Sequence, residues 1–427
     1  MPAILSLRKP GFPSRGTDRT REPLWLTRLA VYLPLLLIPL VAIPIGGAER
    51  ASAVDIAGVP ILLLLLARRT LPRSLILMFL GSFLFSALLL LPLSPNPVLE
   101  TLRIYRLAAI YAPFVLALTL PWDLEDAERA LRIAWWAGLL GILLGFSVFW
   151  SEDTVRDRQQ RLWIGESSES VLRAGGLLGN SGGFSHLITG WAMGALLLRW
   201  FALARQNLFQ VAITISLLLY GILATASRSS LLHIGAALFF SLLFMARVDP
   251  RSILRNILLL MVAVLLAAAA AAALLSVMEP DFVEAVLTRF GMTGDPSLLL
   301  QSRRYDHWYD LIRITQWNPF GIGYKHTTEV TGLQVDNSYL RIFLELGLLG
   351  ITSYLAMWTL VLTGLLKRTA DIRVNRFRAA AAGMVMGELA RMVFSDTFTM
   401  FLSAPTFLVL VAIALRLRAG QPRDPSR

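Results

Sequence analysis

Cysteine is absent from all 427 residues, which excludes disulfides and thiolate-held metals. Charge is scarce as well. Asp, Glu, Lys and Arg make up 16% of the chain against 56% hydrophobic residues, more apolar surface than a soluble core can cover. Histidine is rarer still: His186, His233 and His307 stand at no ligand spacing, and the polar loops hold no Asp-x-Asp, so neither a metal nor a cofactor is indicated. What the chain has in quantity is runs such as LLLIPLVAIPI and ILLLMVAVLLAAAAAAALL. These make it a polytopic membrane protein embedded in membrane lipids, and its net charge of +12 is read by loop rather than as a nucleic-acid footprint.

Apolar segments of hydrocarbon length occur at about 29–45, 51–67, 75–93, 104–120, 130–149, 183–203, 208–224, 229–246, 253–277, 338–366, 379–395 and 398–416. The expectation is an all-α membrane domain over residues 1–427 with about 12 transmembrane helices. Positive residues gather on alternate connections: Arg8 to Arg28, Arg68 to Arg73, Arg129 and Arg132, Arg199 and Arg205, Arg247 to Arg255, Lys367 to Arg378, and Arg416 to Arg427. By the positive-inside rule both termini are cytoplasmic, and the two long polar loops, 150–182 and 278–337, face outward. The basic leader and Ala51-Ser52-Ala53 imitate a secretory signal, but the length of the leader predicts an uncleaved first span.

Against that topology the outward cations stand out. Arg156, Arg158, Arg161 and Arg173 lie on the first loop, Arg289, Arg303, Arg304, Arg313 and Lys325 on the second, and Arg228 in TASRSS between two apolar runs. Orientation does not require them, and the guanidinium fork suits phosphate oxygens, so they point to an anionic ligand. Snorkelling to headgroups, or pairing with Glu152, Asp153, Asp157 and Asp306, is the plainer account of any one of them. Within the second loop Tyr305, Trp308, Leu311, Ile312 and Thr315 recur at helical spacing and predict a short amphipathic helix lying flat at the interface, with Arg304 and Trp308 on one face. Asn318-Pro319 ends it, Gly321-Ile322-Gly323 permits a tight turn, and Asp336-Asn337-Ser338 reads as the N-cap of a long span. An outward helix N-terminus is itself suited to anions.

Ser227-Arg228, Arg304 four residues before Trp308, Pro319 to Gly323, and Asp336-Asn-Ser-Tyr-Leu through Glu345-Leu-Gly347 to Gly350 follow one another in a fixed order. In that order they resemble the O-antigen ligase and Wzy-type polymerase superfamily of bacterial inner-membrane glycosyltransferases. Gly179-Asn180-Ser181 is similar to the Asn-rich start of the family's corresponding helix. The resemblance implies a GT-C-like, metal-independent enzyme that takes a glycan from undecaprenyl pyrophosphate. The acceptor would be a sugar hydroxyl, on a lipid-linked repeat or on lipid A-core, at the periplasmic face. Arg228 and Arg304 match the family's functional arginines, with Arg303 as substitute or helper, and Glu345 matches the family's Glu two residues before Gly. Ligases usually carry histidine where this chain has Asp336. A carboxylate there is a weaker base, or merely a cap, and His326 is the substitute candidate for the base. The departure tilts the reading toward a polymerase. Asn337, Tyr339, Trp308 and Asn180 are expected to shape the site.

Other membrane-embedded charges predict structural roles. Glu345 is expected to pair with Arg341, Glu388 with Arg391 at i and i+3 near Asp396, while Asp55 and Arg106 sit near span ends or partners. A lipid-linked oligosaccharide flippase or other transporter is the competing class. Carriers usually show internal symmetry and midplane polar groups, whereas here the polar residues crowd one face.

Overall fold

The computed structural model describes residues 24–36, 43–44, 50–51, 53–67, 74–94, 96–150, 161–163, 170–172, 181–204, 208–276, isolated positions from 280 to 287, 304–333, 335–397 and 404–418. Asn180, Arg303, the Arg304 and Asp55 side chains, and nearly all of the first loop lie outside them. The helices in chain order are α1 (Leu24–Leu36), α2 (Ala53–Ala67), α3 (Leu75–Leu89), α4 (Pro97–Leu118), α5 (Leu124–Trp150) and α6 (Ser181–Met193, continued by the π-helical Gly194–Ala202). They continue with α7 (Leu208–Thr225), α8 (Arg228–Val248), α9 (Pro250–Leu275), the loop helices α10 (Arg304–Ile314) and α11 (Thr327–Thr331), then α12 (Ser338–Leu365), α13 (Ile372–Arg391) and α14 (Ala404–Arg416). Extended pairing among the described residues is slight: Ile43–Pro44 with Arg50–Ala51, and Arg161–Trp163 with Ser170–Leu172.

The protein is thus an all-α membrane protein. Among the described residues five stretches, Pro97–Leu118, Leu124–Ser147, Arg228–Val248, Leu254–Ala273 and Ser338–Leu365, are long and apolar enough to cross a bilayer. Helices also occupy the other expected segments, but α1, with 13 residues, rises only about 20 Å, and α6 and α13 carry buried charge. Several boundaries differ from the hydropathy reading because caps, not hydropathy, start the helices. The Asn96 side chain accepts from the Leu99 N–H at 3.2 Å and Pro97 takes the first helical position, so α4 begins well before residue 104. Glu100 and Arg103 are thereby drawn onto the buried face of its first two turns.

Contacts sort to two ends of the bundle, as the alternating loops predict. At one end Arg28 pairs with Asp126 at 2.9 Å, Arg418 N–H donates to the Trp122 carbonyl at 2.9 Å, and Arg376 pairs with Asp249. At the other end Arg103 meets Glu329, and Ser338 N–H donates to the Met392 carbonyl at 2.9 Å. The tightest helix pair is α8 with α13. Gly383 and Gly387, four apart on α13, leave no room for side chains: a Cβ on Gly387 would lie 2.6 Å from Ala237 Cβ and 2.8 Å from the His233 carbonyl. Small residues let membrane helices approach backbone to backbone, and here that approach brings Glu388 against α8.

Candidate active site at one end of the bundle

The second loop folds onto the start of α12. Leu311 and Thr315 of α10 are buried, and Leu311 packs with Val335 and Leu344, flanked by Leu333, Leu340 and Phe343. The expected amphipathic helix is present, but its apolar face is covered by the protein's own α12 instead of by lipid. The preceding residues align the next feature: Trp308 Nε1 donates to Asp336 Oδ1 at 3.1 Å, and its ring stands 6.5 Å from that of Phe394. Asn337, not Asp336, is the N-cap of α12, its Oδ1 accepting from Leu340 N–H at 3.0 Å. The capping reading of Asp336 therefore falls to its neighbour, and the Asp336 carboxylate is held in front of the helix by an indole.

The Pro-Phe-Gly-Ile-Gly turn has a role that its spacing did not reveal. Helix α12 breaks at Gly347, where φ is 68°, and the turn docks across the break. Ile322 N–H donates to the Leu344 carbonyl at 2.9 Å, Gly323 N–H to that of Glu345 at 3.1 Å, and Leu348 N–H to that of Pro319 at 2.8 Å. A Cβ on Gly321, itself at φ +87°, would lie 2.5 Å from the Glu345 carbonyl oxygen, and one on Gly347 would meet the backbone of Pro319 and Phe320. Gly347→Ala is expected to destabilise the protein by about 1–3 kcal/mol from left-handed strain, before any clash is relieved. Thermal unfolding in detergent checks this; Gly332→Ala, at the same φ but facing open space, should cost less, and the difference measures the clash.

Beside the break, Glu345 is fully buried and held as expected by Arg341, whose Nε donates to Oε1 at 3.0 Å; Thr327 Oγ1 donates to the same oxygen at 3.1 Å. Arg341 also pairs with Asp396, which ties the end of α13 to α12. Tyr339 OH donates to the Leu389 carbonyl at 2.7 Å, a second tie between the same helices. His326 is buried, with Nε2 3.1 Å from Glu100 Oε2 and 3.8 Å from Glu329 Oε2. The Arg103 guanidinium, donating to Glu329, holds that carboxyl below its ordinary range. A carboxyl lowered in the folded state stabilises it above the unfolded pKa, and the contribution fades as pH falls through the folded value. This contact is half exposed and correspondingly weak.

Arg228 is the first residue of α8, half-buried, beside a cluster of hydroxyls. Ser227 Oγ accepts from Ser230 Oγ at 3.0 Å and from Ser185 Oγ of α6 at 3.2 Å. Ser185 in turn accepts from Arg391 Nη2 at 2.8 Å, and Thr189 from Arg391 Nη1 at 2.7 Å. The expected Glu388–Arg391 pair does not form. The carboxylate instead meets His186 Nε2 at 2.9 Å and stands 3.5 Å from His233 Nδ1, because α6 and α8 approach α13 from either side. Glu388, His186, His233 and Arg391 are all buried. This cluster is the feature that sequence spacing missed. Four ionisable groups lay in apolar runs, which is itself a signal, but spacing paired only Glu388 with Arg391 and joined neither to a histidine. The adjoining cavity, between Trp135, Trp191, Thr406 and Phe407, measures about 30 Å³, room for a water or two and not for a sugar.

Residues 213–355 match the Wzy_C family, described as O-Antigen ligase. Over that segment the chain is O-antigen ligase-like. The match spans about a third of the chain and includes Arg228, Arg304, Trp308, Asp336, Asn337, Tyr339 and Glu345, whereas His186, Glu388 and Arg391 fall outside it. No curated protein matches the chain. An O-antigen ligase-like membrane enzyme acting with a lipid-linked glycan donor and a glycan acceptor follows at the level of the family.

Proposed function

We propose that the protein is a glycosyltransferase of the bacterial inner membrane, working at the periplasmic face, that polymerises glycan repeats delivered on undecaprenyl pyrophosphate. The observation that carries this reading is Asp336, oriented by Trp308 immediately before the N-terminus of α12 within the matched segment. The acceptor hydroxyl gives its proton to the Asp336 carboxylate as its oxygen bonds to the anomeric carbon of the donor. The bond from that carbon to the pyrophosphate breaks, and undecaprenyl pyrophosphate leaves. Arg228 and Arg304, with Arg303 beside it, stabilise the negative charge that collects on the departing phosphates, so no metal is required. Asn337, Glu345, Tyr339 and Trp308 keep the start of α12 in place, and Asn180, next in sequence to α6, helps to shape the site. His326 is the other candidate base; its bond to Glu100 supports a tethering role. Aspartate in place of the histidine usual in ligases favours a lipid-linked repeat over lipid A-core as acceptor. Both termini are cytoplasmic in this reading, and twelve helices span the bilayer in a GT-C-like arrangement.

The test is incubation of the purified protein with lipid-linked repeat alone, without added metal. A ladder of products is expected. Product only after lipid A-core is supplied would make the protein a ligase, and movement of the lipid-linked repeat across the bilayer without bond formation would overturn the enzyme reading. Arg228→Ala is expected to lower turnover about 10²- to 10³-fold with the protein inserted and folded, the usual effect of removing one donor from a developing anion. Wild-type turnover in that variant would remove the pyrophosphate role.

A further inference from the structure

We propose that the end of the bundle opposite the candidate active site carries a binding cleft for the phosphate headgroup of an anionic membrane lipid. The cleft, about 220 Å³, lies between the C-termini of α8 and α12 and the N-terminal part of α13. Its cations are Arg247, Lys367 and Arg368, and no acidic residue lines it. The neighbouring carboxylates are engaged elsewhere: Asp249 pairs with Arg376, and Asp371 lies against Arg373 and caps α13. Among the described residues no carboxylate forms an ion pair with Arg247, Lys367 or Arg368.

A cation near a helix C-terminus has an ordinary explanation in the helix dipole. Here Arg368, just past the end of α12, also reaches across to α8, its Nη2 donating to the Arg247 backbone carbonyl at 2.8 Å, which holds the Arg368 side chain at the rim beside Arg247. The polar floor is Asn375, locked by the Thr369 backbone, with its Nδ2 donating to the Thr369 carbonyl at 2.7 Å and its Oδ1 accepting from Thr369 N–H at 2.7 Å. The remaining walls are apolar, Phe244, Val248, Leu365 and Leu366, and Leu366 is 41% exposed, so that apolar lining continues to the outer surface. A free phosphate ion has no use for such walls. A phospholipid does, because its phosphate meets the guanidinium and ammonium groups while its glycerol and first methylenes lie against leucine and phenylalanine.

The experiment uses the full chain purified in detergent, offered equal amounts of phosphatidylglycerol and phosphatidylcholine, with retained lipid measured by native mass spectrometry. Wild-type protein is expected to retain phosphatidylglycerol in preference. Each cation near a membrane surface contributes a factor of roughly five, so Arg247→Gln/Lys367→Gln/Arg368→Gln should lower that preference at least tenfold. Arg251→Gln/Arg255→Gln, on the exposed start of α9, should leave it nearly unchanged, and millimolar inorganic phosphate should not displace the lipid. An unchanged preference in the triple variant, an equal loss in the α9 variant, or displacement by phosphate overturns the proposal. If the triple variant does not fold, Ala379→Leu, which narrows the cleft with its charges intact, must lower retention, and full retention overturns the proposal equally.

Discussion

Asp336→Asn is expected to slow glycan transfer by about 10²- to 10⁴-fold, the range over which a positioned general base contributes. Asparagine keeps the shape and can still accept from Trp308 Nε1, so that bond survives while the negative charge and the capacity to take a proton are lost. Because Asn337 is the residue that caps α12, the substitution leaves the helix start intact. Loss of activity with unchanged thermal unfolding is therefore the expected pair of results. His326→Ala separates the two candidate bases. Its Nε2 sits 3.1 Å from Glu100 in the tie between the second loop and α4, so the variant should loosen that loop and lower stability more than turnover per folded molecule. Normal transfer by Asp336→Asn together with loss in His326→Ala would move the base to His326.

Glu388→Ala is expected to destabilise the protein by about 3–5 kcal/mol, the cost of removing one partner from a buried charged set. The carboxylate is the shared partner of His186 and His233, and it is the acidic group nearest in sequence to the buried Arg391. Its removal takes the nearby negative charge from a buried guanidinium whose hydrogen bonds run only to two hydroxyls and one carbonyl. Glu388→Gln should recover part of the loss, since an amide still bonds the His186 imidazole. Thermal unfolding in detergent, followed by tryptophan fluorescence, measures both. Equal stability of Glu388→Ala and wild type would mean that the cluster contributes nothing to the bundle.

Residues close in sequence were largely legible before the structure. Asp336-Asn337-Ser338 marked the start of α12, Arg341 and Glu345 met at i and i+4, and the spacing of Tyr305, Trp308, Leu311, Ile312 and Thr315 gave a helix where α10 lies. Runs of apolar residues located the helices because hydrocarbon demands length more than any local motif. What could not be read depends on distance along the chain. His186 and Glu388 are 202 residues apart and meet because α6 packs on one side of α13, while two glycines on α13 admit α8 with His233 from the other, both facts of packing. The covering of α10 was hidden for a related reason, since an apolar stripe does not say whether lipid or protein will lie against it. Gly347 was hidden differently: a single glycine in an apolar run usually signals nothing, and only the turn bonded across it shows why it is there.

That interruption has a mechanical consequence. Residues 319–323 are stitched by three backbone bonds to the two sides of the break in α12, and α10 rests on the outer piece of the same helix. The segment cannot swing away like a flap on a hinge. Any movement that widens the entrance for a bulky lipid-linked sugar must either carry the outer turns of α12 along with the loop as one rigid lever, pivoting at Gly347, or leave both where they are.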